Sequence, residues 1–195
     1  MLTNRAIILA AGSSRRMGTP KMLLPFGDRT IIETVIDNVS RSKVDSIHVV
    51  LGDHHEQIRE ILAHLPVETV LNEQHASGML SSVLCGFDSL PEDTGTALIF
   101  LGDQPGIPPS VTNAVIDAYN DSLHGIVIPV YNYRRGHPLL VDFKYRNEIG
   151  KLDLEQGLRA LMHHFPQDVL EVDVDEPGIL MDIDTPEDYD KARPS

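Results

Sequence analysis

The segment ILAAGSSRRMGTPK, residues 8–21, combines small residues, glycines and basic side chains. An apolar run ends at Gly12, and Arg15 and Lys21 follow it closely. Small residues let the backbone approach a phosphate and present N–H donors, while guanidinium and ammonium groups supply positive charge. The segment therefore predicts a loop that binds a polyphosphate. The alternative is a surface loop with scattered basic residues.

Two well-known phosphate loops do not match this segment. A P-loop has lysine directly after its second glycine, but Thr19 and Pro20 separate Gly18 from Lys21. A dinucleotide-binding fingerprint has glycine at the position that Ser14 occupies. The sequence therefore supports neither a P-loop ATPase nor a Rossmann dehydrogenase.

Carboxylates in two distant parts of the chain are candidate metal ligands. Asp103 ends TALIFLGD, residues 96–103, an apolar stretch of the kind expected at the centre of a sheet. Asp182 and Asp184 flank Ile183, so an extended chain would point both carboxylates to one side. Two like charges this close are costly unless a cation neutralises them. An ordinary turn carboxylate is the alternative for Asp103.

A second basic cluster, RRGHP, covers residues 134–138. Gly136 permits a close approach of the backbone, and His137 can form a hydrogen bond with a ligand. Because a lone histidine is often structural, both roles are open for His137. The cluster is a second candidate binding segment.

Short β-branched runs alternate with segments of helical periodicity, which is typical of βαβ units on a mainly parallel sheet. The expected strands lie at residues 5–10, 46–52, 67–72, 96–103, 125–131, 137–142, 168–174 and 178–184. The expected helices lie at residues 30–42, 53–65, 78–87, 109–121, 154–165 and 185–192. Capping boxes at Thr30–Glu33 and Asp53–Glu56 mark two helix starts, and Thr185 is the expected N-cap of the last helix. The pattern predicts one domain over residues 1–195, folded as a three-layer α/β/α sandwich around a Rossmann-like, mainly parallel sheet.

The composition limits the class of protein. The 195 residues carry a formal net charge of -13, which argues against nucleic-acid binding because that needs clustered positive charge. No apolar run approaches the roughly 18 residues that span a bilayer, so we expect no membrane partner. The amino-terminal segment is typical of a first core strand rather than a secretory signal, and a single cysteine, Cys85, excludes an internal disulfide. We therefore expect a cytoplasmic protein.

The motifs resemble those of the nucleotidyltransferases with a three-layer α/β fold, the nucleotide-diphospho-sugar transferase fold. The run from Leu9 to Gly18 with Pro20-Lys21 is similar to their signature loop, and most similar to the MobA-like branch that serves the molybdenum cofactor. Four later segments match motifs of that branch in the same order, at residues 72–86, 101–105, 136–138 and 182–188. The resemblance covers nearly the whole chain.

The resemblance implies a reaction in which the phosphate of an acceptor attacks the α-phosphate of a nucleoside triphosphate and expels pyrophosphate. Lys21, Arg15 and Asp103 are the implied catalytic residues. The implied nucleotide contacts are Leu9, Ala10, Ala11, Gly12, Ser13, Ser14, Arg15, Lys21, Asn72, Gly78, Ser82 and Asp103.

The resemblance also implies a metal ion, Mg²⁺ or alternatively Mn²⁺. Asp103 and Asp184 would hold it with Asp182 nearby, and which of Asp182 and Asp184 binds directly is open. The implied acceptor contacts are Gln104, Gly136, His137 and Pro138.

The substrates follow from the same resemblance. Relatives that use GTP typically carry two glycines after Leu-Ala, whereas relatives that transfer CMP are similar to Ala10-Ala11-Gly12 of this chain. The methyl group of Ala11 would narrow the pocket and suit a pyrimidine. We therefore expect CTP as the donor and molybdopterin or the molybdenum cofactor as the acceptor, with a molybdenum hydroxylase or its chaperone as a partner. The alternatives are GTP as the donor, a sugar or polyol phosphate as the acceptor, or a protein that binds nucleotide or cofactor without turnover.

Overall fold

The apolar runs of the sequence form one mainly parallel sheet in the computed structural model, which describes residues 3–122 and 124–194. The strands are β1 (Thr3–Ala10), β2 (Pro25–Phe26), β3 (Arg29–Thr30), β4 (Ser46–Leu51), β5 (Glu68–Leu71), β6 (Thr94–Leu101), β7 (Ile126–Tyr131), β8 (Arg134–Arg135), β9 (Leu139–Asp142) and β10 (Val169–Asp173). The helices are α1 (Ile31–Ser40), α2 (His55–Leu62), α3 (Met79–Ser89), α4 (Pro109–Asp121), α5 (Arg146–Ile149), α6 (Arg159–His164) and α7 (Pro186–Ala192).

The order of the strands brings several loops to one edge of the sheet. The order is β10-β7-β9-β6-β1-β4-β5, with β8 paired to β7 and with β2 and β3 forming a separate hairpin. β1 is parallel to both β4 and β6, and β4 is parallel to β5. β9 runs antiparallel to β6 and β7. Because the carboxyl ends of parallel strands share an edge, the loops after β1, β4, β5 and β6 meet there.

Two apolar cores lie on opposite faces of this sheet. Along β1, Ile8 packs in the core that contains residues of α1, α2 and α4, whereas Ile7 packs in the core that contains residues of α3 and α6. Both isoleucines are fully buried, which the alternation of side chains along a strand explains. The three-layer α/β/α sandwich predicted from the sequence is confirmed.

Two of the expected helix starts are confirmed and one is wrong. Thr30 accepts a hydrogen bond from the Glu33 amide at the start of α1, and Thr185 is the N-cap of α7. The capping box expected at Asp53 does not form, since α2 begins after His54, which has φ 59° and makes no side-chain cap. The Asp53 carboxylate lies instead 3.7 Å from the imidazole of His75. The tertiary contact therefore replaces the local cap.

Two expected elements of the C-terminal third differ from the structure. The strand expected at residues 178–184 is wrong, because a short 3-10 helix at Pro177–Leu180 is followed by a segment outside the sheet. A side chain at Gly178 would collide with the backbone of Gly106, so this segment packs closely against the loop after β6 and does not pair with a strand. The helix expected at residues 154–165 is shorter, because Gly157, at φ 67°, breaks it before α6.

None of the helices in the described part of the chain is long and apolar enough to cross a membrane.

Candidate functional site

A cleft of about 520 Å³ opens at the carboxyl edge of the sheet, where the loops after β1, β4, β5 and β6 meet. It is lined by Leu9, Ala11, Gly12, Ser13, Arg15, Arg16, Lys21, Met22, Asp53, His75, Ala76, Gly78, Met79, Ser82, Leu101, Asp103, Asp182 and Asp184. Most of the residues expected to contact a nucleotide or a metal therefore lie together. Ala10, Ser14 and Asn72, which the sequence also assigned to the nucleotide, are not part of this lining.

Ser14 organises the first loop and anchors Lys21. It has the left-handed conformation, with φ 49°, and its carbonyl oxygen accepts hydrogen bonds from the amides of Met17 and Gly18 at 3.0 and 3.2 Å. Its hydroxyl group accepts a hydrogen bond from the Lys21 amide at 3.2 Å. The tight turn thus returns the chain to the end of β1 and places Lys21 on the cleft floor.

The ammonium group of Lys21 lies between two carboxylates that are far apart in the sequence. Its Nζ is 2.5 Å from Asp103 Oδ2 and 2.8 Å from Asp184 Oδ1. The Lys21 side chain is only 8% exposed, so solvent screens this cluster weakly. Burial tends to lower the pKa of Lys21, but the charges and hydrogen bonds of Asp103 and Asp184 outweigh burial and raise this pKa.

The two carboxylates have different electrostatic environments. Burial raises the pKa of Asp103 above its ordinary value; the nearby Asp182 and Asp184 add to this effect, and Lys21 opposes it. Asp184 also experiences burial, but Lys21 and Arg16 outweigh burial and lower its pKa. The crowding of acidic groups around Asp103 makes this point of the cleft favourable for a cation.

Backbone contacts bring the second acidic segment to the first. The amide of Ile183 donates to the Asp103 carbonyl oxygen at 3.0 Å, and Ile183 is almost fully buried. Asp182 and Asp184 therefore face the cleft on either side of a buried anchor, although the expected strand does not form. Asp184 reaches Lys21, whereas Asp182 Oδ1 accepts from Gln104 Nε2 at 2.6 Å.

The expected acceptor residues lie beside the cleft rather than in its lining. The His137 amide donates to the Ile179 carbonyl oxygen at 3.2 Å, and Gln104 Nε2 donates to the same oxygen at 3.3 Å. A side chain at Gly136 would collide with Ile179, so this glycine is required for the close approach. The turn that contains Ile179 thus joins Gly136 and His137 to Gln104, and Pro138 follows His137 directly.

His137 is held in its neutral form. Burial lowers its pKa to about 4; the Asp103 carboxylate opposes this shift, and the Arg159 guanidinium contributes to it. A neutral imidazole has one N–H donor and one acceptor nitrogen, so it can hydrogen-bond to a ligand without adding charge.

The loop between β5 and α3 forms another wall of the cleft. Asn72 is buried, and its side-chain amide donates to the hydroxyl groups of Ser81 and Ser82 at 2.9 and 3.0 Å. Its Oδ1 accepts from the Gln74 amide at 2.9 Å. Asn72 therefore shapes the loop, while Gly78 and Ser82 line the cleft.

The site residues assigned from the sequence left out several residues of the lining, among them Arg16, Asp53 and His75. Asp53 follows β4 in the way that Asp103 follows β6, and this shared position at the ends of parallel strands was a usable signal. His75 carried no such signal, because its place depends on how the loop after β5 folds over Gly52. A side chain at Gly52 would approach the His75 ring to 2.8 Å.

The donor set fits a divalent cation that also binds phosphates. Among residues 3–122 and 124–194, no group of three or more His, Cys, Asp or Glu side chains is arranged to hold a metal ion. Mg²⁺ is usually held by one or two carboxylates together with water and substrate phosphates. Asp103 and Asp184, which meet at one ammonium group, supply two carboxylates of this kind.

Comparison with known proteins gives consistent similarities. The model of the MobA-like NTP transferase domain matches residues 6–169. The molybdenum cofactor cytidylyltransferase of Escherichia coli K12 is 30% identical over 96% of this chain and 94% of its own length. The nicotine blue oxidoreductase of Paenarthrobacter nicotinovorans is 27% identical over 93% of this chain and 92% of its own.

The fold is also similar to solved structures. The crystal structure of Rv0371c from Mycobacterium tuberculosis H37Rv superposes with a TM-score of 0.84 at 26% identity, covering 100% of this chain and 98% of that one. Its complex with manganese has a TM-score of 0.80 at 25% identity, with 98% of each chain covered. The nucleotide-diphospho-sugar transferase fold expected from the sequence is confirmed.

Proposed function

Because the chain belongs to the family of MobA-like NTP transferase domains, we propose that it transfers CMP from CTP to the phosphate of molybdopterin or the molybdenum cofactor. Pyrophosphate is the second product. The acceptor phosphate attacks the α-phosphate directly, so no side chain has to act as a nucleophile. One domain over residues 1–195 carries the reaction.

One observation carries the proposal: Lys21, Asp103 and Asp184 meet at a single point beneath a loop of small and basic residues. A nucleotidyl transfer needs positive charge at the α-phosphate and a cation on the triphosphate. The lysine and the pair of carboxylates meet these two needs at the same end of the cleft.

The first loop is assigned to the triphosphate. Gly12 and Ser13 let the backbone approach the phosphates, and the exposed Arg15 can reach the outer ones. Lys21 is placed to stabilise charge that grows on the α-phosphate during the transfer. On the other wall, Gly78 and Ser82 are assigned to the ribose and base, with Asn72 shaping that wall.

Asp103 and Asp184 are the residues that we assign to Mg²⁺ or Mn²⁺. Such an ion would offset the negative charge of the triphosphate. Asp182 is assigned a supporting place, since its carboxylate contacts Gln104 and not the ammonium group at which Asp103 and Asp184 meet. The manganese complex of Rv0371c supports a divalent cation in a protein of this fold.

The segment beside the cleft is assigned to the acceptor. Gln104, Gly136 and His137 approach the turn at Ile179, next to Asp103, and Pro138 follows His137 in the chain. Because His137 is neutral, it can hydrogen-bond to a pterin edge or to the acceptor phosphate without adding positive charge near the metal.

The choice of CTP rests on Ala11. Its side chain lines the cleft and is almost fully buried. The end of β4 approaches it closely, since a side chain at Gly52 would come within 2.9 Å of Ala11 Cβ. We assign this methyl group to the base pocket, where it would leave less room for a purine and so favour a pyrimidine.

The same assay separates nucleotidyl transfer from the alternatives. The relative from Paenarthrobacter raises an oxidoreductase as an alternative, and a binding protein without turnover is another. A MobA-like transferase could also use GTP or a sugar or polyol phosphate. We also propose that the protein acts in the cytoplasm, and that a molybdenum hydroxylase or its chaperone receives the product.

The proposal is tested by pyrophosphate release from each nucleoside triphosphate with Mg²⁺ present, and with molybdopterin, a sugar or polyol phosphate, or no acceptor. Release that requires both CTP and molybdopterin is the expected result. Release with GTP, or with a sugar or polyol phosphate, would change the proposed substrates but support the same type of reaction. Binding of CTP without any release would reject transferase activity.

A further inference from the structure

Lys21 occupies the space between the two carboxylates that we assign to the metal. Its Nζ contacts Asp103 Oδ2 and Asp184 Oδ1, at 2.5 and 2.8 Å. The second oxygen of Asp184 lies 2.7 Å from a guanidinium nitrogen of Arg16. Both oxygens of Asp184 therefore contact cationic side chains of the protein itself.

A divalent cation that used these oxygens would compete with Lys21. It would lie next to the ammonium group, and two positive charges at such a separation repel each other. The backbone of Lys21 is fixed by the hydroxyl group of Ser14, but its side chain has a flexible four-carbon stem. The ammonium group can therefore leave the carboxylates while the loop keeps its shape.

We propose that Lys21 is an internal counter-ion, which a divalent metal displaces from Asp103 and Asp184 and which then becomes available to the triphosphate. The step from the metal to the triphosphate rests on the proposed function, since it needs a nucleotide in the cleft. Each ligand favours binding of the other. Phosphates attract Lys21 away from the carboxylates, and the metal displaces Lys21 towards the phosphates. Metal and nucleotide therefore bind with positive coupling, which is reciprocal by thermodynamic necessity.

Titration calorimetry of the full chain with MnCl₂, in the absence of nucleotide, tests the competition. Lys21→Met removes the charge and keeps much of the stem, and we expect the Kd for Mn²⁺ to fall about tenfold or more, within the usual range of coupling between linked sites.

Arg16→Met is the matched control: it removes a cation from the same Asp184, but the Arg16 side chain is 69% exposed. We expect a change of about threefold or less for this exposed pair. Asp103→Asn is expected to abolish the binding, which identifies the titrated site. A Kd that is unchanged or higher in Lys21→Met overturns the proposal.

The wild-type protein provides a second test that depends on no variant folding correctly. Brief acetylation with acetic anhydride, read by mass spectrometry, reports the reactivity of each lysine amine. We expect slow labelling of Lys21, and a severalfold rise when Mg²⁺ alone is added to saturation. Lys151, whose side chain is 69% exposed, is the internal control and is expected to label equally with and without Mg²⁺. Labelling of Lys21 that stays constant or falls with Mg²⁺ overturns the proposal. Neither measurement contains nucleotide or acceptor, so a failure here is distinct from a failure of the pyrophosphate assay.

Discussion

The backbone amide of Ile183 donates a hydrogen bond to the carbonyl oxygen of Asp103 at 3.0 Å, and this bond joins the loop after β6 to a segment near the end of the chain. It places Asp184 on the same ammonium group as Asp103. The capping box of Thr185 and Asp188 then starts α7 directly after Asp184 and fixes that end of the segment. The two carboxylates therefore face one point because of backbone geometry, with no help from a shared strand.

Loss of the Asp103 carboxylate is expected to remove metal binding and most of the activity. Asp103→Asn keeps the shape of the side chain and leaves Lys21 paired with Asp184, so the fold is expected to persist. Turnover is expected to fall about a hundredfold or more, because a bound metal stabilises a transition state by several kcal/mol. Steady-state pyrophosphate release measures this, with Asp121→Asn on the exposed end of α4 as the control. Near-wild-type turnover of Asp103→Asn would remove Asp103 from the mechanism.

The sequence predicted those features of the fold that local residue patterns determine. Periodicity located every strand of the main sheet except the two-residue β8, and helices on both of its faces, although it wrongly predicted a strand at residues 178–184. Thr30 and Thr185 marked helix starts correctly. The sequence did not predict the direction of each strand in the sheet. β9 runs antiparallel between β6 and β7, and no local pattern specifies which neighbour a strand will pair with.

The site was predictable in its residue types but not in its contacts. Side-chain alternation placed Asp182 and Asp184 on one side, which agrees with the buried Ile183 between them. Their different partners, Gln104 and Lys21, depend on long-range packing of the last segment on the loop after β6. Long-range packing also explains why the role of Asp53 was not predicted, since its side chain contacts His75 in place of the expected cap.

A methyl group at Gly136 is expected to disturb the segment assigned to the acceptor. In Gly136→Ala the new carbon would lie 2.7 Å from Ile179 Cγ1 and closer still to the Ile179 carbonyl oxygen. Overpacking of this kind costs about 1–3 kcal/mol, so the free energy of unfolding is expected to fall by that amount. Urea denaturation measures it. Gly12→Ala is the matched control, since its new carbon would meet no atom within 4 Å, and we expect it to be nearly neutral. Equal stability of the two variants would contradict the close approach at Gly136.

Asp168 is expected to make the stability of the protein depend on acid pH. Burial tends to raise the pKa of Asp168, but hydrogen bonds from the Tyr145 hydroxyl, the Gly125 amide and the Lys144 ammonium group outweigh burial and lower this pKa. A carboxylate with a lowered pKa in the folded state stabilises the protein above its unfolded pKa, near 3.8, and the contribution disappears as the pH falls through the folded pKa. Asp168→Asn is therefore expected to lose about 1–3 kcal/mol at pH 7.

The difference between wild type and Asp168→Asn is expected to shrink as the pH falls below about 4, because the wild-type carboxyl group then becomes neutral as well. Urea denaturation at a series of pH values measures this. Asp173→Asn, on an exposed position of β10, is the control and is expected to change stability by less than about 0.5 kcal/mol. A difference that persists unchanged at pH 3 would show that Asp168 acts through packing and not through its charge.

Removal of the Ala11 methyl group is expected to relax the choice of nucleotide. Ala11 lines the cleft, whereas the adjacent Ala10 is fully buried in the core on the other side of β1. Ala11→Gly and Ala10→Gly therefore make the same chemical change on opposite sides of the chain. A pocket discriminates by roughly tenfold or more per methyl-sized group, so the ratio of kcat/KM for CTP to that for GTP is expected to fall about tenfold in Ala11→Gly. The ratio is expected to stay constant in Ala10→Gly, even if that variant is less stable. An unchanged ratio in Ala11→Gly would mean that the base is selected by the opposite wall of the cleft, where Gly78 and Ser82 lie.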